Sequence, residues 1–215
     1  MSESNDSPLR EGPITPPSPP LPRGGWGGDR PAVFLDRDGT IIEDAHHLSH
    51  VDQVRLIPGA GEAVRRLNEH GLPVVVVTNQ SGVARGFFPE SLVADVYARL
   101  RELLAEQGAH VDGHYHCPHH PTEGSGRYTR DCECRKPKPG MLLAAARELS
   151  LDLSRSWMVG DRLTDPQAGA AAGCRTVLVR TGHGRREEVP TDLTELRLEG
   201  LVDDLSEAVE LILRG

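Results

Sequence analysis

The chain has 215 residues, 37% of them hydrophobic and only 4% aromatic, with a formal charge of −8. Seven of its 17 prolines fall between Pro8 and Pro22, and Gly24, Gly25, Gly27 and Gly28 follow, so residues 1–30 read as a disordered Pro/Gly-rich tail and 31–215 as one domain with a single core. The acidic balance argues against a nucleic-acid partner. No apolar run approaches the roughly 18 residues of a membrane span, and the tail lacks a secretory apolar segment; a soluble cytoplasmic protein without a membrane partner is expected.

Ala32–Leu35 is a short apolar run that ends in Asp36 and reads as a buried strand. Residues 60–70 follow as a helix, with Ala63, Val64 and Leu67 on one face and Gly71 as its end. Pro73–Val77 is a second strand. Pro89 suits a helix N-terminus, and Leu92, Val93, Val96, Leu100, Leu103 and Leu104 carry the stripe behind it. A strand near Val111–His116, a loop to about Pro139 and a helix over Gly140–Leu149 come next. The strand Trp157–Val159, a helix around Asp165–Ala172, the strand Thr176–Val179 and a helix over Leu205–Leu213 complete the chain. Strands alternating with helices predict an α/β fold, a Rossmann-like doubly wound parallel sheet with ligands beyond the C-terminal strand ends.

Three polar clusters fall at such ends: Asp36-Arg-Asp38-Gly-Thr40, Thr78-Asn-Gln-Ser81-Gly and Gly160-Asp161. Two carboxylates two residues apart in one turn repel each other, which raises a pKa or recruits a cation. Few carboxylates completed by water and phosphate suit Mg²⁺. One aspartate could accept a phosphoryl group, and its neighbour could move the proton of the leaving oxygen. The basic residues are 22 arginines and two lysines, and both lysines sit in Arg135-Lys136-Pro137-Lys138-Pro139. Lys136 would supply compensating charge, and the Thr78 hydroxyl would hold phosphoryl oxygens. Other phosphate chemistry finds no support: the chain has no Gly-Lys dipeptide, no Gly-x-Gly-x-x-Gly and no Gly-x-Ser-x-Gly. The Asp-x-Asp-Gly segment is not a calcium loop, because its glycine comes too early and its twelfth position is His47.

Cys117-x-His119, twelve residues, then Cys132-x-Cys134 offers three thiolates and an imidazole, a set that favours closed, tetrahedral, structural Zn²⁺. His120 is an alternative to His119 as the fourth ligand, and Cys174 reads as a core thiol.

Asp36-Arg-Asp-Gly-Thr40, Thr78-Asn79, Lys136 and Gly160-Asp161-x-x-x-Asp165 resemble the four motifs of haloacid-dehalogenase-superfamily phosphatases, in order and over residues 32–182. Thr78-Asn-Gln-Ser-Gly-Val-Ala-Arg-Gly86, Cys117-Pro-His-His-Pro121 and Cys132-Glu-Cys-Arg-Lys-Pro-Lys-Pro-Gly-Met141 narrow the resemblance to the heptose bisphosphate phosphatases, which share the cysteine loop with histidinol-phosphate phosphatases. The resemblance implies Asp36 as nucleophile, Asp38 as general acid and base, and Thr78 and Lys136 at the transferring phosphoryl group. Mg²⁺ would be held by Asp36, the Asp38 main chain and Asp161, and Zn²⁺ by Cys117, His119, Cys132 and Cys134. Arg135, and less directly Asn79, Gln80, Ser81, Arg162, Asp44 and His47, would contact a small sugar bisphosphate. Only 41 residues separate Asp36 from Thr78, so a large cap domain does not fit and an essentially capless, open, monomeric enzyme is expected. Histidinol-phosphate phosphatase is the enzyme alternative, and a 3′-phosphatase acting on DNA is a remoter one. A catalytically silent binding protein is the alternative of another class.

Overall fold

β-Branched and apolar residues dominate the strand segments, and they assemble as one parallel sheet. The computed structural model describes residues 30–45, 48, 50–124, 126–188 and 194–214; the Pro-rich tail and His47 lie outside them. In chain order the strands are β1 (Val33–Leu35), β2 (Val74–Asn79), β3 (Gly113–Cys117), β4 (Trp157–Gly160), β5 (Arg175–Val179) and β6 (Leu198–Val202). The helices are α1 (Ala60–Glu69), α2 (Glu90–Ala105), α3 (Gly140–Leu149), α4 (Thr164–Ala172) and α5 (Leu205–Arg214). The sheet order is β3-β2-β1-β4-β5-β6, parallel throughout, with β1 in the middle.

Side chains alternate across the pleat, and the alternation divides the core in two. Val33, Leu35, Val74 and Val76 pack with Val64 and Leu67 of α1, Leu100 of α2 and Val209 of α5. Phe34, Val75, Val77 and Met158 face the other way, onto Met141 and Leu142 of α3 and Ala168 of α4. Covering both faces is what a parallel sheet requires.

Most element ends move by one or two residues from the sequence reading, and two strands differ for a structural reason. β3 begins at Gly113 because Asp112 ends the loop before it: its carboxylate accepts the Val74 N–H at 2.8 Å and its own N–H donates to the Val74 carbonyl at 2.7 Å. β6 is a strand the sequence did not announce. Its Leu-Glu-Gly-Leu-Val has no continuous apolar face, and as an edge strand it needs none, pairing with β5 across a register shift at Thr176/Val177. Between Asp36 and the start of β2 the described residues hold only α1 and a short 3-10 turn at Val51–Gln53, so no cap domain is inserted there.

Candidate active site

The C-terminal ends of β1, β2 and β4 meet at one rim. The Asp36 N–H continues the ladder to the Val159 carbonyl at 2.9 Å, which fixes the end of β1 against the end of β4. The chain then turns on the Arg37 carbonyl, which accepts the Ile41 and Ile42 N–H groups at 3.0 Å each. The carboxylates of Asp36, Asp161 and Asp165 come within 4.8 Å of one another, all buried.

Lys136 enters this group from the segment before α3. Its ammonium donates to Asp36 Oδ1, to Asp165 Oδ1 and to the Val77 carbonyl, each at 2.7 Å, which uses all three of its protons. Burial alone would push the ammonium toward neutrality, but the two carboxylates outweigh it and raise its pKa. Burial raises Asp36 to about 6 against the pull of Lys136, and raises Asp161 to about 8 with the Asp36 charge adding to the effect. Asn79 locks the main chain of the lysine: its Nδ2 donates to the Lys136 carbonyl at 3.0 Å and its Oδ1 accepts the Lys136 N–H at 3.1 Å. Asn79 lines the cleft, yet its amide is engaged in placing the cation.

The donor set fits a divalent cation. Asp161 Oδ2 accepts the His183 N–H at 2.7 Å, while Asp161 Oδ1 is buried with no partner among the described residues. An acceptor left so in a cluster of three acids is what a hard cation completes. Asp38 is not part of this trio: its carboxylate turns to Arg37, Gln80 and Thr78, so only its main chain remains for the metal expected there.

The loop after β5 was missed in sequence. Thr181-Gly-His-Gly184 closes on Asp161, with the Thr181 hydroxyl donating to the Gly39 carbonyl at 2.6 Å. Gly39 and Gly182 both have positive φ, +82° and +54°, and a Cβ on Gly182 would lie 2.2 Å from Asp161 Oδ2 and 2.6 Å from the Gly39 Cα. Only glycine lets the two loops approach so closely. Glycines flanking a histidine just after an apolar strand were the available signal. Asp165, noted in sequence only as part of a motif, also gains two concrete duties, as acceptor from Lys136 and from the Arg162 N–H at 3.0 Å.

A cleft of about 400 Å³ opens over these groups. Asp38, Ser81, Arg135 and Arg162 line it, as do Asp44, Gln80 and His183. Gln80 is buried and donates to Asp38 Oδ2 at 2.7 Å and to the Thr78 hydroxyl at 2.8 Å. Arg135 donates to the His119 carbonyl at 3.1 Å, which ties the cleft to the cysteine loop. Asp44 accepts from His183 Nε2 at 2.7 Å. The far wall is apolar, from Phe87, Phe88 and Leu92.

Cys117, His119, Cys132 and Cys134 converge as the spacing predicts. Sγ and Nδ1 atoms of the four are separated by 3.3–3.6 Å along the four recorded edges. Those edges approach the about 3.7 Å expected around a tetrahedral zinc with sulfur at 2.3 Å. They are far too long for a disulfide. His119 offers Nδ1, and His120 is turned away, its own Nδ1 accepting the Glu123 N–H at 2.8 Å. Hydrogen bonds from its neighbours lower the Cys134 thiol to about 5, while the hydrogen bond to Cys134 pushes the Cys117 thiol up and burial pushes the Cys132 thiol up.

Residues 33–96 match the haloacid dehalogenase-like hydrolase family and residues 133–208 the HAD-hydrolase-like family. A D-glycero-beta-D-manno-heptose-1,7-bisphosphate 7-phosphatase from Pasteurella multocida is 49% identical over 152 residues, which is 70% of this chain and 82% of the relative. The Escherichia coli K12 protein of the same name is 47% identical over 71% of this chain and 80% of its own length. Among solved structures, a D,D-heptose 1,7-bisphosphate phosphatase from B. bronchiseptica, complexed with magnesium and phosphate, superposes with a TM-score of 0.73 at 35% identity, covering 86% of this chain and 98% of that one. A HAD-like phosphatase from Mesorhizobium loti gives 0.76 at 41% identity, over 86% and 87% of the two chains. Motifs, sheet order and relatives agree: this chain is a phosphoric monoester hydrolase and belongs to the heptose bisphosphate phosphatase family of haloacid dehalogenase-like hydrolases.

Proposed function

We propose that the protein removes the 7-phosphate of D-glycero-β-D-manno-heptose 1,7-bisphosphate, in the biosynthesis of nucleotide-activated heptose. The observation that carries this reading is the buried Asp36–Lys136–Asp165 group, with the unsatisfied Asp161 beside it, at the floor of a cleft in a chain 47–49% identical to enzymes of that name. Asp36 Oδ attacks phosphorus, the phosphorus–O7 bond breaks, and the leaving oxygen takes a proton from Asp38. Water then attacks the aspartyl-phosphate and gives its proton to Asp38, so inorganic phosphate leaves and both aspartates are restored.

Lys136 keeps Asp36 charged in a buried site and, with the Thr78 hydroxyl, steadies the equatorial oxygens. Asp36, Asp161 and the Asp38 main chain would hold Mg²⁺, which supplies positive charge against the phosphoryl group when bound. Cys117, His119, Cys132 and Cys134 would hold structural Zn²⁺, keeping the segment that leads into Arg135 and Lys136 folded against the cleft. Arg135, Arg162 and Ser81 would meet the sugar and its second phosphate. No helix of the described residues is long and apolar enough to cross a membrane, in keeping with a cytoplasmic monomer acting on a small substrate.

Phosphate release from the β and α anomers of heptose bisphosphate and from histidinol phosphate, each with Mg²⁺, tests the reading. The β anomer is expected to give the highest kcat/KM. A preference for histidinol phosphate overturns it.

A further inference from the structure

Arg37 stands between the two aspartates, and the chemistry above gives its side chain no part. It is nonetheless 2% exposed, in a chain whose other arginines mostly reach solvent. Its Nε lies 3.2 Å from both oxygens of Asp38, and its Nη2 lies 3.0 and 2.9 Å from the same two atoms. Gln80 adds a third nitrogen, 2.7 Å from Asp38 Oδ2. Asp38 thus lines the cleft with 25% of its side chain exposed, both of its oxygens held by a buried guanidinium and one of them also by a buried amide.

What surrounds Arg37 directs it at this one carboxylate. Its Nη1 is buried without a partner among the described residues, and so are His114 Nε2 and His116 Nδ1. An imidazole carries no negative charge in either protonation state, so neither ring competes with Asp38 for the guanidinium. Tyr97 stacks on His114 with ring centroids 4.1 Å apart. Glu90, the acid on that side, is taken by His116 at 3.3 Å and by the Tyr128 hydroxyl at 2.6 Å. Asp38 is the ion-pair partner of Arg37 among the described residues.

We propose that Arg37 is a positioning residue that, together with Gln80, sets the angle from which Asp38 serves the leaving oxygen. The inference rests on the reading of Asp38 as proton donor. A bidentate guanidinium fixes a carboxylate in plane and in direction, which a single ammonium does not.

The test compares wild type, Arg37→Lys, Gln80→Met and Asp38→Asn on heptose bisphosphate and on p-nitrophenyl phosphate, whose leaving group departs without a proton. The ratio kcat/KM reports steps only up to that departure. Arg37→Lys is expected to lower kcat/KM about tenfold or more on the sugar phosphate and less than about threefold on the aryl phosphate, through kcat and not KM. Gln80→Met, which removes no charge, shows the same pattern with a smaller loss and carries the test if Arg37→Lys fails to fold. Equal losses on both substrates, or a loss in KM alone, overturn the proposal in favour of a structural role. If Asp38→Asn itself does not distinguish the two substrates, the reading of Asp38 fails; if Asp38→Asn distinguishes them and neither positioning variant does, only the role of Arg37 and Gln80 fails.

Discussion

The carboxylate rim and the cysteine loop are two clusters of ionisable groups on one molecule, held in opposite ways. Asp36 and Asp161 sit at the ends of adjacent strands, their positions set by the β1–β4 register from Val33↔Trp157 to Leu35↔Val159. Lys136 is fastened to that sheet by Asn79 and by the Val77 carbonyl. The rim therefore stands on backbone ladders and would keep its shape if one acid lost its charge. Between β3 and α3 the described residues hold a short 3-10 turn at Gly126–Tyr128, one isolated bridge from His120 to Thr129, and hydrogen bonds such as His120 N–H to the Tyr128 carbonyl at 3.1 Å. Three ligands from this loop meet Cys117 at the end of β3 as its main convergent feature, so here the side chains hold the backbone. Where a sheet supplies order, chemistry is free to use the side chains; where it does not, the side chains supply the order.

The largest effect should separate these two modes by touching activity alone. Asp36→Asn is expected to lower phosphate release by at least about a thousandfold while the melting temperature stays within a few degrees; residual activity within tenfold of wild type would remove Asp36 as nucleophile. Lys136→Met is expected to be nearly as damaging and to destabilise as well, by about 3–5 kcal/mol, because it leaves two buried acids without their cation. Urea unfolding with a midpoint equal to wild type would show that the two buried acids do not need their cation for the chain to stay folded.

In the loop the order of effects reverses. Cys132→Ser should lose the bound zinc, read as zinc per chain by elemental analysis, and lower the melting temperature, while kcat falls only about tenfold as Arg135 and Lys136 lose support. A protein that purifies without zinc and melts as wild type would erase the distinction between the regions. The smallest effect is expected for Lys138→Ala. Lys138 lies at 2.8 Å from Asp131 and 3.2 Å from Glu133 at an exposed site, where solvent screens the pairing, so activity should stay within twofold. A large loss would mean that the loop leans on this ion triad.

Sequence made the interior of the sheet and the centre of the site readable, and physical reasons explain the remainder. Ala32–Leu35, Pro73–Val77 and Trp157–Val159 are buried on both faces, so their apolar runs announce strands. Asp36, Thr78 and Asp161 follow because polar residues at the ends of such strands have few other uses, Lys136 because it is one of only two lysines among 22 arginines, and the ligand spacing of the cysteine loop is a local pattern. β6 escaped because its alternation is broken, with Gly200 on the partly covered face and Leu201 on the exposed one. Arg37 and His183, and the positioning contacts of Asn79 and Gln80, could not be read for another reason. Their duties are set by which neighbour each side chain reaches across 1 to 57 residues of chain, from Asp38 to Lys136, and composition does not encode a partner.

The central place of β1 has a consequence for how the enzyme comes into being on the ribosome. The first strand made is completed on one side by β2 and β3, and on the other only when β4 follows, more than 120 residues after β1. Asp36 and Lys136 both exist in a nascent chain that has yet to produce Asp161 and Asp165, so the lysine waits with one of its two acids. The emerging polypeptide thus holds Asp36 and Lys136 before it holds either of the other two acids of the rim, and a chain cut short before Asp161 would lack both.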